Sequence, residues 1–143
     1  MNELEETYTA STLKLLQHPD VLANAKKGHF QPITLELAPT NKCNLNCCFC
    51  SVSKRDKTQV LELPEIIKTL EDFKELGLKS IEITGGGDPL VYPEINELIE
   101  WITNNTNWPI GLITNGIALK NLKTKNLQEL TWLRISLNAI DYR

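Results

Sequence analysis

All the cysteines of this chain lie in one short stretch. The sequence TNKCNLNCCFC, residues 40–50, holds Cys43, Cys47, Cys48 and Cys50, and the rest of the 143 residues contains none. Where thiols are kept reduced, clustered cysteines bind metals or do redox chemistry more often than they form disulfides. Cys43, Cys47 and Cys50 follow the spacing Cys-x3-Cys-x2-Cys, which lets a compact loop direct three sulfurs toward one centre. We therefore predict that these three cysteines bind a metal centre.

The spacing alone leaves the kind of metal open. Iron–sulfur clusters are bound by thiolates, and three thiolates on a four-iron cluster leave one iron open to another ligand. Zinc is the alternative, although a structural zinc site usually has four ligands in two separated pairs, and the sequence offers no second pair. Inert thiols in a buried loop are a third alternative, which the neighbouring Asn and Lys residues disfavour. Cys48 lies between better ligands, and we interpret it as a small packing residue.

Composition limits the remaining possibilities. A length of 143 residues with 41% hydrophobic residues is enough for one domain with a core. The net charge of -3 gives no basic footprint, so nucleic-acid binding is not suggested. The sequence has no apolar run near the roughly 20 residues that a membrane helix needs, and the acidic start MNELEETYTA does not fit a secretory signal. We therefore predict a cytoplasmic protein.

Helical and strand patterns alternate along the chain. A helical pattern from about Ala10 to Lys27 contains Pro19, where a second helix can begin, and Gly28, where it can end. The predicted strands are 33–39, 80–87, 109–116 and 132–140, and the helices between them are 64–77, 93–105 and 122–130. This alternation predicts an α/β fold in which a parallel sheet is built from βαβ units.

Polar and glycine-rich residues follow the strands at their carboxyl ends. The cysteine loop follows the first strand, GGGDP (residues 85–89) the second, and Thr114-Asn115-Gly116 ends the third, with Ser136 and Asn138 near the end of the fourth. Sites in parallel α/β folds gather beyond these strand ends. We therefore predict that the four features form one site.

Each of these features at the carboxyl ends of the strands has two interpretations. Glycines lack Cβ atoms and tolerate positive φ, so the triple glycine can approach a ligand and direct its carbonyls at an ammonium group, or can form a plain turn. Thr114 and Asn115 can line a pocket, although Asn-Gly is also an ordinary turn pair. Ser136 and Asn138 share one face of a strand, where they can point inward or satisfy local backbone groups.

The pair of motifs CNLNCCFC and GGGDP, one βα unit apart, resembles the radical S-adenosylmethionine (radical SAM) superfamily from about Ile33 onward. The resemblance implies a partial (β/α) barrel of about four parallel βα units. Residues 31–143 would form this core, ending after the fourth strand where the family usually has six, and residues 1–30 a helical N-terminal extension. In that family three cysteines hold a 4Fe–4S cluster, and SAM chelates the fourth iron through its amino and carboxylate groups. By resemblance, the cluster ligands are Cys43, Cys47 and Cys50.

The same resemblance implies a set of cofactor-binding residues. These are Phe49, Gly85, Gly86, Gly87, Asp88, Ser136 and Asn138. Phe49 matches the bulky residue beside the adenine, with hydrophobic packing of the loop as the alternative. The glycines match the motif that receives the methionine amino group. Asp88 stands where many members carry Glu, and Ser136 and Asn138 match polar positions that reach the SAM ribose or carboxylate.

The chemistry that the resemblance implies is reductive. An external donor of the flavodoxin or ferredoxin type reduces the cluster, SAM is cleaved to methionine and a 5′-deoxyadenosyl radical, and the radical abstracts hydrogen from an unknown substrate. The alternatives are a non-catalytic module that binds the cluster and SAM, a zinc-stabilised interaction module, and an electron carrier. The fourth strand is an apolar edge, so we also expect a longer protein, a partner half or self-association.

Overall fold

The computed structural model describes residues 12–137, with the side chains from residue 15 onward. In this part of the chain the strands are β1 (Thr34–Leu37), β2 (Ser80–Ile83), β3 (Ile110–Thr114) and β4 (Trp132–Ile135). The α-helices are α1 (Pro19–Lys26), α2 (Leu63–Glu75), α3 (Ile95–Asn105) and α4 (Thr124–Gln128), and short 3-10 helices cover Thr12–Gln17, Pro89–Val91 and Leu119–Asn121. The predicted alternation of strands and helices is confirmed.

The strands form one parallel sheet in the order β1-β2-β3-β4. Each strand therefore pairs with the one that follows it in sequence, as in the wall of a (β/α) barrel, whereas a doubly wound sheet reverses its strand order. Because the strands are parallel, their carboxyl ends meet at one edge. The predicted α/β fold of parallel βα units is confirmed, and with it the common rim for the loops that follow the strands.

The core lies between the sheet and α2 and α3. Ile81 and Ile83 of β2 and Leu112 of β3 are buried on this side of the sheet. The helices contribute their apolar faces: Ile66, Leu70, Ile95, Leu98, Ile99 and Ile102. Burial of each such side chain stabilises the fold by about 1.5–3 kcal/mol. The opposite face of the sheet is mixed, since Glu36 and Glu82 alternate with the core residues and share this face with Ile113, Trp132 and Arg134.

The ends of several elements differ from the predicted ones. Residues 12–17 form a 3-10 helix instead of an α-helix, and this segment stops before Pro19 because a residue that precedes proline disfavours the α conformation. Gly28 and Gly77 follow α1 and α2 with positive φ, as expected for helix ends. Strand β4 ends at Ile135, and the predicted strand residues from Asn138 on lie outside the described residues. No helix in the described part is long and apolar enough to cross a membrane.

Candidate cofactor site

A cavity of about 270 Å³ opens at the carboxyl ends of the strands. It is lined by most of the predicted site residues: Cys43, Cys47, Cys50, Gly85, Gly86, Gly87, Asp88, Thr114, Asn115 and Ser136. These residues come from four separate loops, and the parallel sheet brings them together because all four follow its strands. The predicted convergence of the four features on one rim is therefore present in the structure.

The cysteine loop places three of its thiols on the cavity wall. Cys43, Cys47 and Cys50 are half-buried there, whereas Cys48 is exposed, and none of the four forms a disulfide. The Cys50 N–H donates to the Cys47 carbonyl over 3.1 Å, and the Leu45 N–H donates to Cys43 Sγ over 3.4 Å. Within residues 12–137 no three His, Cys, Asp or Glu side chains are grouped as ligands of one metal ion. Cys43, Cys47 and Cys50 nevertheless line one cavity, and thiols are the kind of donor that holds iron–sulfur clusters.

The glycine loop packs directly against the start of the cysteine loop. The Gly87 N–H donates to the Thr40 carbonyl and the Asp88 N–H to the Lys42 carbonyl, both over 2.8 Å. A Cβ atom on Gly87 would collide with the Lys42 carbonyl, and one on Gly86 would collide with the Asn41 side chain. Among the described residues, the glycines with positive φ lie outside this loop. The loop therefore does not depend on the positive φ that glycine tolerates. Close approach of two loops is what requires glycine.

Asp88 is buried in a network of internal hydrogen bonds. Its side chain is only 3% exposed. The carboxylate accepts hydrogen bonds from Thr114 Oγ1 (3.0 and 2.9 Å), from the Asn115 N–H (2.7 Å) and from the Leu90 N–H (3.0 Å). A buried carboxylate is tolerated when donors surround it in this way. Asp88 thus joins the glycine loop to the end of β3, and direct contact with a cofactor stays a prediction.

Asn115 connects the end of β3 to the first cysteine. Its Nδ2 atom donates to Asn44 Oδ1 over 2.7 Å and lies 3.8 Å from Cys43 Sγ, within the range of a hydrogen bond to sulfur. Its Oδ1 atom accepts from the Ile117 N–H over 3.0 Å, and Gly116 has a φ of 81°. The Asn-Gly turn and the pocket-lining role are therefore both present.

The remaining predicted residues have different outcomes. Ser136 lines the cavity, and its N–H donates to the Thr114 carbonyl over 2.8 Å. Phe49 is 62% exposed and is not part of the cavity lining, so its contact with adenine stays a prediction. Asn138 lies outside the described residues.

Arg55 is a cavity residue that the sequence patterns did not identify. It lies five residues after Cys50, and its Nε and Nη1 atoms are buried without a hydrogen-bond partner among the described residues. The only sequence signal for Arg55 was a basic residue shortly after the cysteine motif. This signal is not specific, because basic residues are common on loops.

A second cavity, of about 330 Å³, lies at the opposite, amino ends of the strands. Its lining includes Thr34, Ser80, Glu82 and Trp132, and it contains neither the cysteines nor the glycine loop. The chemistry expected of a thiol-bound metal centre therefore belongs to the smaller cavity.

The fold and the site together define a class: a parallel α/β protein of the barrel-wall type with a thiol-lined cavity beside a glycine loop. The sequence profile of the Radical SAM superfamily matches residues 37–143. The chain therefore belongs to the Radical SAM superfamily, and the predicted resemblance is confirmed.

Curated relatives carry the name GTP 3′,8-cyclase. That of Desulforamulus reducens is 32% identical over 118 residues, covering 76% of this chain and 36% of the relative. That of Aquifex aeolicus is 33% identical over 111 residues, covering 73% of this chain and 34% of the relative. The chain thus spans about a third of the length of these relatives.

Solved structures with the same fold include Streptococcus suis SuiB. Its structure bound to S-adenosylmethionine matches with a TM-score of 0.61 and 22% identity, covering 88% of this chain and 30% of SuiB. Its structure bound to the precursor peptide SuiA matches with the same TM-score and 21% identity, covering 93% and 30%. At this identity the likeness shows the fold alone.

Proposed function

We propose that this chain is the radical-forming core of a cytoplasmic radical SAM enzyme. The observation that carries the proposal is the cavity shared by Cys43, Cys47, Cys50 and the glycine loop. When bound there, a 4Fe–4S cluster reduced by a flavodoxin- or ferredoxin-type donor supplies the electron that cleaves SAM into methionine and a 5′-deoxyadenosyl radical, which abstracts hydrogen from the substrate.

The residues of this chain bind and orient the cofactors. The three thiols supply the ligands, and the Nδ2 of Asn115 beside Cys43 fixes the position of the first of them. The glycine loop has already used the N–H groups of Gly87 and Asp88 in bonds to Thr40 and Lys42. Its carbonyl oxygens are therefore the backbone groups best placed to receive the ammonium group of SAM.

Anaerobic reconstitution tests the proposal. The full chain is loaded with iron and sulfide, and its iron content, its visible spectrum and the 5′-deoxyadenosine formed from SAM with a chemical reductant are measured. We expect Cys43→Ala, Cys47→Ala and Cys50→Ala each to abolish the cluster. Cys48→Ala is the matched control and should keep it, because Cys48 is exposed and lies outside the cavity lining.

The alternatives give different results in the same experiment. A protein that retains zinc and takes up no iron would be a zinc-stabilised module. Reversible cluster reduction without any effect of SAM on the spectrum would indicate an electron carrier. SAM binding without 5′-deoxyadenosine would indicate an accessory module. Loss of iron in Cys48→Ala as complete as in Cys47→Ala would overturn the ligand assignment.

A further inference from the structure

Arg55 is a half-exposed residue in the lining of the cofactor cavity, and two of its guanidinium nitrogens are buried. Its Nε and Nη1 atoms are shielded from solvent and have no hydrogen-bond partner among the described residues. A buried donor without a hydrogen-bond partner costs free energy. The described part of the chain offers no acceptor to these two nitrogens, so they are free to bind an anion of a ligand.

Two carboxylates, one in the same cavity lining and one next in sequence to Arg55, already accept hydrogen bonds from other groups. The Asp88 carboxylate accepts from Thr114, Asn115 and Leu90. The Asp56 carboxylate, next in sequence to Arg55, accepts from the Thr58 N–H and hydroxyl over 2.9 and 2.6 Å.

The ion pairs between described residues lie elsewhere, between Lys79 and Asp20 and between Lys123 and Glu100. The missing anion is therefore expected to come from a ligand in the cavity.

The position of the guanidinium suggests which anion this is. Nη1 of Arg55 lies beside Gly86, 3.5 Å from where a Cβ of that residue would stand. The glycine loop is the part of the cavity that we expect to receive an ammonium group. In an α-amino acid the ammonium and the carboxylate sit on the same carbon, so a carboxylate-binding side chain should stand next to an ammonium-binding loop. Arg55 stands there.

We propose that Arg55 binds the carboxylate of the amino-acid end of SAM, an inference that rests on the proposed function. The planar guanidinium can donate two parallel hydrogen bonds to a carboxylate. The same group also binds carboxylates or phosphates of substrates, so the experiment separates the two sources.

Binding of three ligands to the reconstituted full chain tests the assignment. SAM and S-adenosylhomocysteine carry the carboxylate, whereas 5′-methylthioadenosine lacks the amino-acid end. We expect Arg55→Gln to raise the Kd of the first two about tenfold or more, equal to about 1.4 kcal/mol. The Kd of 5′-methylthioadenosine and the iron content should not change. Arg55→Lys keeps the positive charge but cannot donate two parallel hydrogen bonds to a carboxylate. Its Kd values for SAM and S-adenosylhomocysteine should therefore lie between those of wild type and Arg55→Gln.

Two controls make the result specific. Lys54→Gln removes the charge of the neighbouring exposed residue and should leave all three Kd values unchanged. Arg55→Met removes the two buried nitrogens that lack a partner, so the protein without cluster or SAM should melt at the same temperature as wild type or higher. A clear drop in that melting temperature would mean that Arg55 supports the fold, and would overturn the proposal.

Each of the remaining outcomes would overturn either the role of Arg55 alone or the proposed function as well. Unchanged SAM affinity in Arg55→Gln, or an equal loss for all three ligands, overturns the role of Arg55 while leaving the proposed function intact. Unchanged SAM affinity together with weaker substrate binding assigns the anion to the substrate and likewise overturns it. A wild-type chain that takes up iron but binds neither SAM nor S-adenosylhomocysteine would instead refute the proposed function, and with it this inference.

Discussion

Asp88 has a structural role that could not be predicted from its sequence motif. The motif GGGDP suggested a cofactor contact, whereas the structure surrounds the carboxylate with donors from Leu90, Thr114 and Asn115. Thr114 and Asn115 lie 26 and 27 positions away in sequence. Contacts over that separation depend on the register of β2 and β3, which a local pattern does not contain.

Replacing Asp88 with Asn should destabilise the whole domain. The amide has one acceptor oxygen instead of two, and its NH2 group would face a backbone donor, the N–H of either Leu90 or Asn115. Hydrogen bonds to charged groups contribute about 1.5–3 kcal/mol each, so we expect the free energy of unfolding to fall by about 2–3 kcal/mol. Urea denaturation of the protein without cofactors measures it.

The control for Asp88 is an exposed acid. Glu71→Gln changes the same kind of group on the surface of α2 and should alter the free energy of unfolding by less than about 0.5 kcal/mol. Equal urea midpoints for Asp88→Asn and wild type would show that the buried network contributes nothing.

Whether a site residue could be identified from the sequence depends on whether it belongs to a short local motif. The cysteines and glycines form short motifs, so local spacing was sufficient to place them in one cavity. Arg55 belongs to no motif, and its significance comes from the burial of its guanidinium atoms and from its neighbour Gly86, which only the folded chain shows.

At the scale of elements, hydrophobic periodicity predicted the order of strands and helices but not their ends. Strand β1 ends at Leu37 and β2 at Ile83, two and four residues before the predicted limits. Beyond these points the backbone turns to contact the other loop: the Thr40 carbonyl accepts from Gly87 and the Lys42 carbonyl from Asp88. Hydrophobic periodicity does not indicate hydrogen bonds between loops, so the strand ends could not be predicted from it.

The contact between the glycine loop and the cysteine loop predicts a specific effect of Gly87→Ala. The added methyl group would occupy the place of the Lys42 carbonyl, so the two loops must separate and lose their two backbone hydrogen bonds. We expect iron uptake to fall by more than half, because Cys43 follows Lys42 directly. Iron and sulfide analysis of matched reconstitutions gives the result.

Gly28→Ala separates this effect from the general cost of replacing a glycine. Gly28 has a φ of 85° and open space around it, at the end of α1 and outside the cavity lining. Its replacement should cost about 1–2 kcal/mol of stability through backbone strain alone, with iron uptake unchanged. Equal iron content in Gly87→Ala and wild type would mean that the loops tolerate separation.

At the scale of the whole molecule, the sheet has an apolar edge. Within residues 12–137, β4 pairs with β3 on one side only. Ile135 in β4 is 48% exposed and Leu137 just beyond it is 77% exposed. Unpaired strand edges with apolar side chains favour pairing with another chain. In a purified sample of the 143-residue chain, the partner at hand is a second copy of the same chain.

We therefore predict that the isolated chain self-associates through the β4 edge. Sedimentation velocity over a range of protein concentrations should show species larger than the monomer. Leu137→Lys should shift the distribution toward monomer, because an edge lysine opposes strand pairing. Leu76→Lys, a 56% exposed position at the end of α2, is the matched control and should leave the distribution as in wild type. A wild-type chain that stays monomeric at every concentration, or a Leu76→Lys variant that dissociates the oligomer as well as Leu137→Lys does, would show that β4 is not the associating surface.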